Sequence, residues 1–516
     1  MAVCGGIGHD QVMLDDSPLD HLSDTEVRAL AQRLLAEVRH KQATIDKLTH
    51  EMAVLKRLKF AARQERFQGE QRSLLKESLE EDLEAIAEEL EQLASPGEKS
   101  AAKAKPRRTP LPPGLARREI HHEPQDTQCS CGCQMKRIGE DVAEKLDYTP
   151  GVFTVERHVR GKWVCKHCET LTQAPVPAHI IDKGLYTTGL LAQVLVAKYA
   201  DHLPLYRQEG IFERAGLALP RSTLAQWVGA CGVQLQPLVD ALKAQMLDRA
   251  VLHADETPVA MLKPGNGKTH RAYLWSYCTT PYSMIPAVVF DFAESCAGRH
   301  AAAFLGAWRG TLVCDDYSGY KALLASGITE AGCLAHARRK FHALWANHKS
   351  QIAGEALELF GALYEVEREA RELSREERLR LRRHKARPAA DVLHRWLIAR
   401  RGQVPDGSAT AKAIDYSLNR WAALTRYIDD PAVPADNNWV ENRIRPIAIG
   451  RSNWLFAGSL RAGQRAAAVM SLIQSARLNG HDPLAYLKDV LTRLPTQPAS
   501  RIGELLPHNW KLEPTV

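Results

Sequence analysis

The apolar positions of this chain change period several times, and each change marks a boundary between elements. From Ala31 they fall in alternating steps of three and four residues, through Ala31, Leu34, Val38, Ile45, Leu48, Met52 and Leu55, with Lys41 interrupting. A second series runs through Leu79, Leu83, Ile86, Leu90 and Leu93. These are heptad a and d positions, so residues 24–95 are expected to form long helices whose charged outer faces suit a coiled coil. Self-association is the functional expectation. A helical hairpin folded against its own chain is the alternative, because residues 60–73 break the pattern and can hold a bend. The first 23 residues have no period and are expected to be loose. Residues 96–118, rich in Pro, Ala, Lys and Arg, read as an extended basic linker, solvated or touching DNA backbone.

Alternation replaces helical spacing within residues 119–178, most clearly in GVFTVERHVRGKWVC. Residues 183–246 return to helical spacing, and RAGLALPRSTLAQWVG (214–229) has the shape of helix, turn, helix, with Ser222 placed to cap the second helix. Packing is the expected role of that pair, and reading of DNA is the alternative. From Arg249 the runs AVLHADETPVAM, HRAYLWSYCTT, MIPAVVFDFAES and GTLVCDDYSGY are short and β-rich, and they alternate with helical pieces after Asp315. Three strands in a meander, then strand, helix, strand, are what a ribonuclease-H-like mixed sheet gives. Residues 341–434 are helical and basic, which predicts an all-helical insertion lying over the active site and covering DNA, or else a charged hairpin with solvated faces. DNNWVENRIRPIAIGRSNWLFAGS (436–459) is a polar turn followed by a helix carrying Glu441, Arg443 and Arg445, with Pro446 expected to interrupt it. Residues 456–516 read as a C-terminal helical region.

Length and composition narrow the class. With 516 residues, 45% hydrophobic and 25% charged, the chain can bury a large core and should divide into roughly three or four domains. No apolar stretch reaches the roughly 20 residues that span a bilayer, and no secretory leader is evident, so a cytoplasmic protein is expected. The 68 basic and 61 acidic residues leave a net charge of +7, a mild lean towards anionic partners. Of the 11 cysteines, five fall in one 40-residue window and the rest are scattered singly, which is not a secreted disulfide framework.

That window carries the first candidate chemistry. Cys129, Cys131 and Cys133 precede a strand-like segment that ends in Cys165 and Cys168, and four of these five sulfurs can hold Zn²⁺ tetrahedrally, with His122 and His167 as spare ligands. A closed four-thiolate site would serve folding and DNA contact. The second candidate is acidic. Asp255 and Asp315 end strand-like runs, and Glu441 follows on a later helix; three such carboxylates can gather oxygen donors around a pair of divalent ions. Alternation places His253 and Asp255 on one face and Glu256 on the other, and likewise Asp315 with Val313 opposite Cys314 and Asp316. It leaves open which face holds metal, and a Glu beside two Arg also fits a plain surface ion pair.

CDDYSGY, GCLAHARRKF, the 436–459 stretch and SLIQSARLNGHDPLAYLKDVL, in that order behind a coiled coil and a cysteine ribbon, resemble the transposases of the insertion sequence sixty-six family, members of the DDE group. The likeness runs from about Thr25 to Leu494. It implies an α+β and α/β multidomain chain with a ribonuclease-H-like catalytic core at residues 249–455. It maps the acids onto Asp255, Asp315 and Glu441; the second family motif is usually Cys-Asp-Gly-Tyr, so Asp316 stands where glycine does. The first cysteine pair of the family is more often CxxC than the CxCxC found here. The implied activity is binding of the element's terminal repeats and metal-dependent cleavage and transfer of DNA strands, with two Mg²⁺ on the three acids. His336, Arg338, Arg339, Arg443, Arg445 and Arg451 are then candidates to neutralise phosphate charge. Partners implied are element and target DNA, a second copy of the chain, accessory proteins of the same element, and the nucleoid as the place of action. A nuclease that cuts without joining and a DNA-binding assembly protein are the alternatives.

Overall fold

The computed structural model describes residues 23–61, 69–93, 111–124, 126–128, 130–131, 133–149, 151–181, 184–263 and 268–512, with side chains in the first two helices described over 27–56 and 77–93. The loose N-terminus, the bend near residue 65, most of the basic linker and Cys129 lie outside the described residues. Two long helices come first, α1 (Asp24–Ala61) and α2 (Gly69–Leu93). A small sheet follows, built from β1 (Ala116–His122), β2 (Met135–Thr149), β3 (Val152–Cys165) and β4 (Leu171–Gln173). In it β3 is central, parallel to β1 and antiparallel to β2 and β4. Next come α3 (Thr188–Tyr199), α4 (Leu205–Arg214) and α5 (Arg221–Leu247).

The larger sheet holds β5 (Val251–Met261), β6 (His270–Thr279), β7 (Val288–Ala293), β8 (Thr311–Cys314) and β9 (Thr329–Gly332). The crossovers carry α6 (Gly298–Leu305) and α7 (Lys321–Ala325). Its order is β7-β6-β5-β8-β9, antiparallel over the first three strands and parallel from β5 through β9. The expected meander followed by strand, helix, strand is therefore present. Beyond β9 every described element is helical: α8 (Leu334–His348), α9 (Gln351–Ala370), α10 (Arg375–Leu381), α11 (Arg387–Arg401), α12 (Ala409–Asn419), α13 (Trp421–Thr425), α14 (Asn438–Trp454), α15 (Leu460–Leu478) and α16 (Pro483–Arg493). No helix among the described residues is long and apolar enough to cross a membrane.

Strand alternation divides the core in two. Leu252, Ala254, Leu312 and Cys314 join a core shared with α3, α5, α15 and α16, whereas Val251, Val313 and Ala331 join one built by α8, α9, α11 and α12. The helical layer therefore covers the face that also carries Asp255. A buried arginine ties this layer together. Arg382 meets Glu367 through two bonds of 2.8 and 2.6 Å and donates to the carbonyls of Tyr427, Asp430 and Val433, which fixes the loop leading into α14. It sits in a π turn, Arg382–Ala386, just before Pro388, where a missing amide hydrogen leaves the regular ladder one donor short.

Three local expectations are corrected. Helix α5 begins at Arg221, before Ser222, and its first free N–H is taken by the Glu209 carboxylate at 2.9 Å, so a side chain from α4 supplies the cap. From Leu224 to Gly232 every residue of α5 but Gln226 is buried, which leaves that part of the helix to packing rather than to a DNA groove. Helix α14 continues through Pro446; the carbonyl deprived of its partner belongs to exposed Asn442, where water can satisfy it.

The third correction concerns the heptads. Leu79 and Ile86 of the second series are buried inside the chain, because α2 packs on α5 and α15. The close approach depends on Gly229, where a Cβ would come within 2.5 Å of the Glu81 carbonyl. Acidic residues of α2 are buried with the leucines. Glu81 bonds Arg465 at 2.8 Å and Lys198 at 3.1 Å, Asp82 bonds Arg465 at 3.0 Å and accepts from Ser459, and Glu77 pairs with Lys198. Only the first half of α1 keeps its apolar stripe in solvent, with Val27, Leu30, Leu34 and Val38 between 37% and 62% exposed.

Candidate active site

The site is assembled by Asn437, a residue that the sequence did not mark as functional. Its side-chain amide donates to the Ala254 carbonyl of β5 at 2.9 Å, and its Oδ1 lies 2.7 Å from His253 Nδ1. Since an amide oxygen only accepts, His253 carries its proton on Nδ1. Burial holds this imidazole neutral, with its pKa pushed down to about 4. The Asn437 backbone N–H donates to Cys333 Sγ at 3.1 Å, and its carbonyl accepts the Glu441 N–H at 3.2 Å. Thus the start of α14 is fastened to the middle of β5 and the end of β9. Further along, Trp439 donates to the Thr279 carbonyl at 2.9 Å and Arg451 to the Pro258 carbonyl at 2.7 Å.

Against this frame the three acids stand near enough to act on one another's charge. Burial, then the charges of Glu256, Glu441 and Asp315, push the Asp255 carboxyl up to about 8. Asp315 Oδ1 accepts from the Tyr317 N–H at 3.0 Å, and Asp315 lines a cleft with His336, Arg339, Lys340 and Tyr416. Glu441 Oε2 lies 3.3 Å from Arg339, while its Oε1 faces His336 Nδ1 at 3.8 Å. Burial keeps His336 below the usual histidine range, and its Nε2 accepts from Arg339 at 3.3 Å. The competing acids are otherwise engaged. Asp316 pairs with Arg420 at 3.1 Å, and Glu256, whose carboxyl is raised to about 7 chiefly by burial, accepts from Tyr320 at 3.0 Å.

The expected cationic residues separate into two groups. His336 and Arg339 touch Glu441, Arg445 is exposed one turn along α14 from it, and Arg338 lines a neighbouring cleft with His342, Arg368 and Asn438. Arg443 and Arg451 do not join the acids. Arg443 stacks over Trp439 at 4.4 Å, and Arg451 is spent on the β5 carbonyl, since two residues of helix turn Arg443 away from Glu441. In the small sheet, Cys131 Sγ lies 3.6 Å from Cys165 and 3.9 Å from Cys168, and the sulfurs of Cys131, Cys133 and Cys165 all fall within 4.8 Å of one another. Backbone N–H groups of Cys168 and His167 aimed at Cys165 hold its thiol below the ordinary range. His122 instead stacks on His158, its Nε2 2.9 Å from the partner ring.

Comparison with known proteins places this geometry. The model described as the IS66 family of transposases matches residues 183–465, which take in the helical region, the large sheet, the helical layer and α14. The chain belongs to the IS66 transposase family. Further IS66 models match residues 471–508 as the C-terminal element and 126–169 as the zinc-finger binding domain, and one described as transposase C of IS166 homeodomain matches 47–120. Among similar proteins of Sinorhizobium fredii, the uncharacterized protein y4qI is 38% identical over 505 residues, 93% of this chain and 92% of the relative. The uncharacterized protein y4hP is 36% identical over 434 residues, 80% of this chain and 78% of the relative.

Proposed function

We propose that this IS66 transposase binds the terminal repeats of its element and cleaves and joins DNA strands by metal-dependent phosphodiester chemistry at Asp255, Asp315 and Glu441. The observation that supports this reading is that Asp315, at the end of β8, and Glu441, in the first turn of α14, both raise the carboxyl of Asp255 in the middle of β5, on the side of the sheet covered by the helical layer. The strand order and the positions of the acids support a ribonuclease-H-like core. The donor set fits a hard divalent cation: all three groups are carboxylates, and Glu441 Oε1 is buried without a hydrogen-bond partner. Two Mg²⁺ held by these acids would activate a water or a DNA 3′-hydroxyl and stabilise the leaving oxygen.

The residues around the acids do the positioning. Asn437 and His253 fix the first turn of α14 against β5, and the Glu441 side chain there meets His336 and Arg339 of α8. Arg339 orients the Glu441 carboxylate, and with Lys340, Arg338 and Arg445 it presents positive charge to the DNA backbone. The thiols of Cys131, Cys133, Cys165 and Cys168 would hold a structural Zn²⁺ in the small sheet. Self-association goes with this reading, through the exposed stripe of α1, because two DNA ends must be brought together.

The test is a cleavage and joining assay on a labelled element end, with Mg²⁺, with chelator, and with Asp315→Ala. Metal-dependent joining lost in the variant is the expected result. Cutting without joining would favour a nuclease, and binding with neither activity would favour an assembly protein.

A further inference from the structure

Cys333, His336 and Glu441 bring together a sulfur, a nitrogen and an oxygen within 4.8 Å of one another. Cys333 is the N-cap residue of α8 and His336 lies in its first turn, three residues on; Glu441 reaches across from the first turn of α14. The frame is rigid, since the Asn437 N–H points at the Cys333 sulfur and fixes α14 against α8. Two of the three ligand atoms, His336 Nδ1 and Glu441 Oε1, are buried with no hydrogen-bond partner and face each other at 3.8 Å. A desolvated imidazole nitrogen and carboxylate oxygen left unsatisfied cost stability unless something joins them.

We propose that Cys333, His336 and Glu441 form a second metal site, selective for a thiophilic divalent cation such as Zn²⁺, and that filling it withdraws Glu441 from the catalytic acids. Thiolate and imidazole are ligands that Zn²⁺ accepts and Mg²⁺ avoids, so the two ions would compete for the Glu441 carboxylate, and for its Oε1 in particular. A tetrahedral Zn²⁺ with bonds of about 2.0 to 2.3 Å sets its ligand atoms roughly 3.3 to 3.8 Å apart. Separations of up to 4.8 Å therefore need a contraction of up to about 1.5 Å, within reach of side-chain rotation. On binding, the Cys333 thiol, which burial pushes up to about 12, releases its proton to solvent as the sulfur–metal bond forms, and His336, whose Nε2 accepts from Arg339 at 3.3 Å, gives up that contact and moves its proton from Nδ1 to Nε2 so that Nδ1 is free to ligate. Water from the cleft that His336 lines with Asp315 and Arg339 would supply the fourth ligand. The inhibitory consequence rests on the catalytic role proposed for Glu441; the site itself does not.

The experiment is a Co²⁺ titration of the full chain whose cysteine ribbon has first been filled with one equivalent of Zn²⁺. One further equivalent of Co²⁺ is expected to raise a thiolate-to-cobalt charge-transfer band, absent in Cys333→Ser, with at least tenfold weaker uptake in His336→Gln. Glu441→Gln, at a side chain with no part in the buried backbone contacts, serves as a second variant should Cys333→Ser misfold, and it too should weaken uptake tenfold. In parallel, Zn²⁺ is added to the cleavage assay at fixed Mg²⁺; half-inhibition should need at least tenfold more Zn²⁺ in Cys333→Ser, each protein measured against its own uninhibited rate. Equal Co²⁺ uptake with equal spectra in wild type and all three variants would overturn the site. A protein that takes up Co²⁺ through Cys333 but never cuts DNA would instead sink the strand-transfer reading and leave the site standing.

Discussion

At the scale of single residues, two side chains control how the acids are presented. Asn437 makes bonds to His253 and Ala254 from its side chain and to Cys333 and Glu441 from its backbone. Asn437→Ala keeps the backbone bonds but strands a buried imidazole and a buried carbonyl, a loss of about 1 to 3 kcal/mol in urea unfolding. Cleavage should fall at least tenfold while DNA binding is retained. Asp255 behaves in the opposite sense. Its carboxyl ionises near the ordinary 3.8 in the unfolded chain but only near about 8 when folded, so over that window the unfolded state alone has lost the proton. The contribution of this group to stability without metal is therefore fully present below about 3.8 and is lost as pH rises to about 8. Asp255→Asn should flatten that slope and raise the Tm in chelator at pH 8, as thermal scans across pH would show, while abolishing cleavage. Alternation along β5 and β8 already paired Asp255 with His253 and Asp315 with Val313 in the sequence. The role of Asn437 was not legible there, because its partner on β5 lies 184 residues away.

At the scale of elements, α2 departs furthest from its sequence pattern. The heptad spacing correctly predicts a helix, yet a heptad reading assigns Glu77, Glu81 and Asp82 to solvent, and the fold buries all three. Their partners Lys198 and Arg465 belong to α3 and α15, so no local rule could have found them. Arg465→Met would leave Glu81 and Asp82 buried with their charge partly uncompensated. We expect about 3 to 5 kcal/mol lost in denaturant unfolding, and far less for breaking the exposed Arg501 to Glu504 pair. Pro446 and Ser222 misled for a related reason. Each was judged by its neighbours in sequence, while solvent at Asn442 and the Glu209 carboxylate decided the outcome.

At the scale of the whole molecule, the two halves of the N-terminal hairpin serve different ends. Helix α2 belongs to the body of the protein, and the first half of α1 presents Val27, Leu30, Leu34 and Val38 to solvent at heptad spacing. Replacing Leu34 and Val38 by Glu should lower the molar mass measured by light scattering without lowering the Tm of the body; an unchanged mass would remove this stripe from self-association. The succession of helices, cysteine ribbon, mixed sheet and helical layer was legible because each has its own period or ligand spacing. The way α2 closes on the far end of the chain was not, because a period carries no information about which distant surface it will meet.

That closure has a consequence for how the protein is made. Glu81 leaves the ribosome 384 residues ahead of Arg465, which at about 5 to 20 residues per second is a wait of roughly 20 to 80 s. Throughout synthesis the acidic helix has no guanidinium to receive it, and a chain that stops before α15 never acquires one. Truncated products, with Lys198 as the remaining partner of Glu77 and Glu81, should therefore keep α2 more open to proteases than the full chain does.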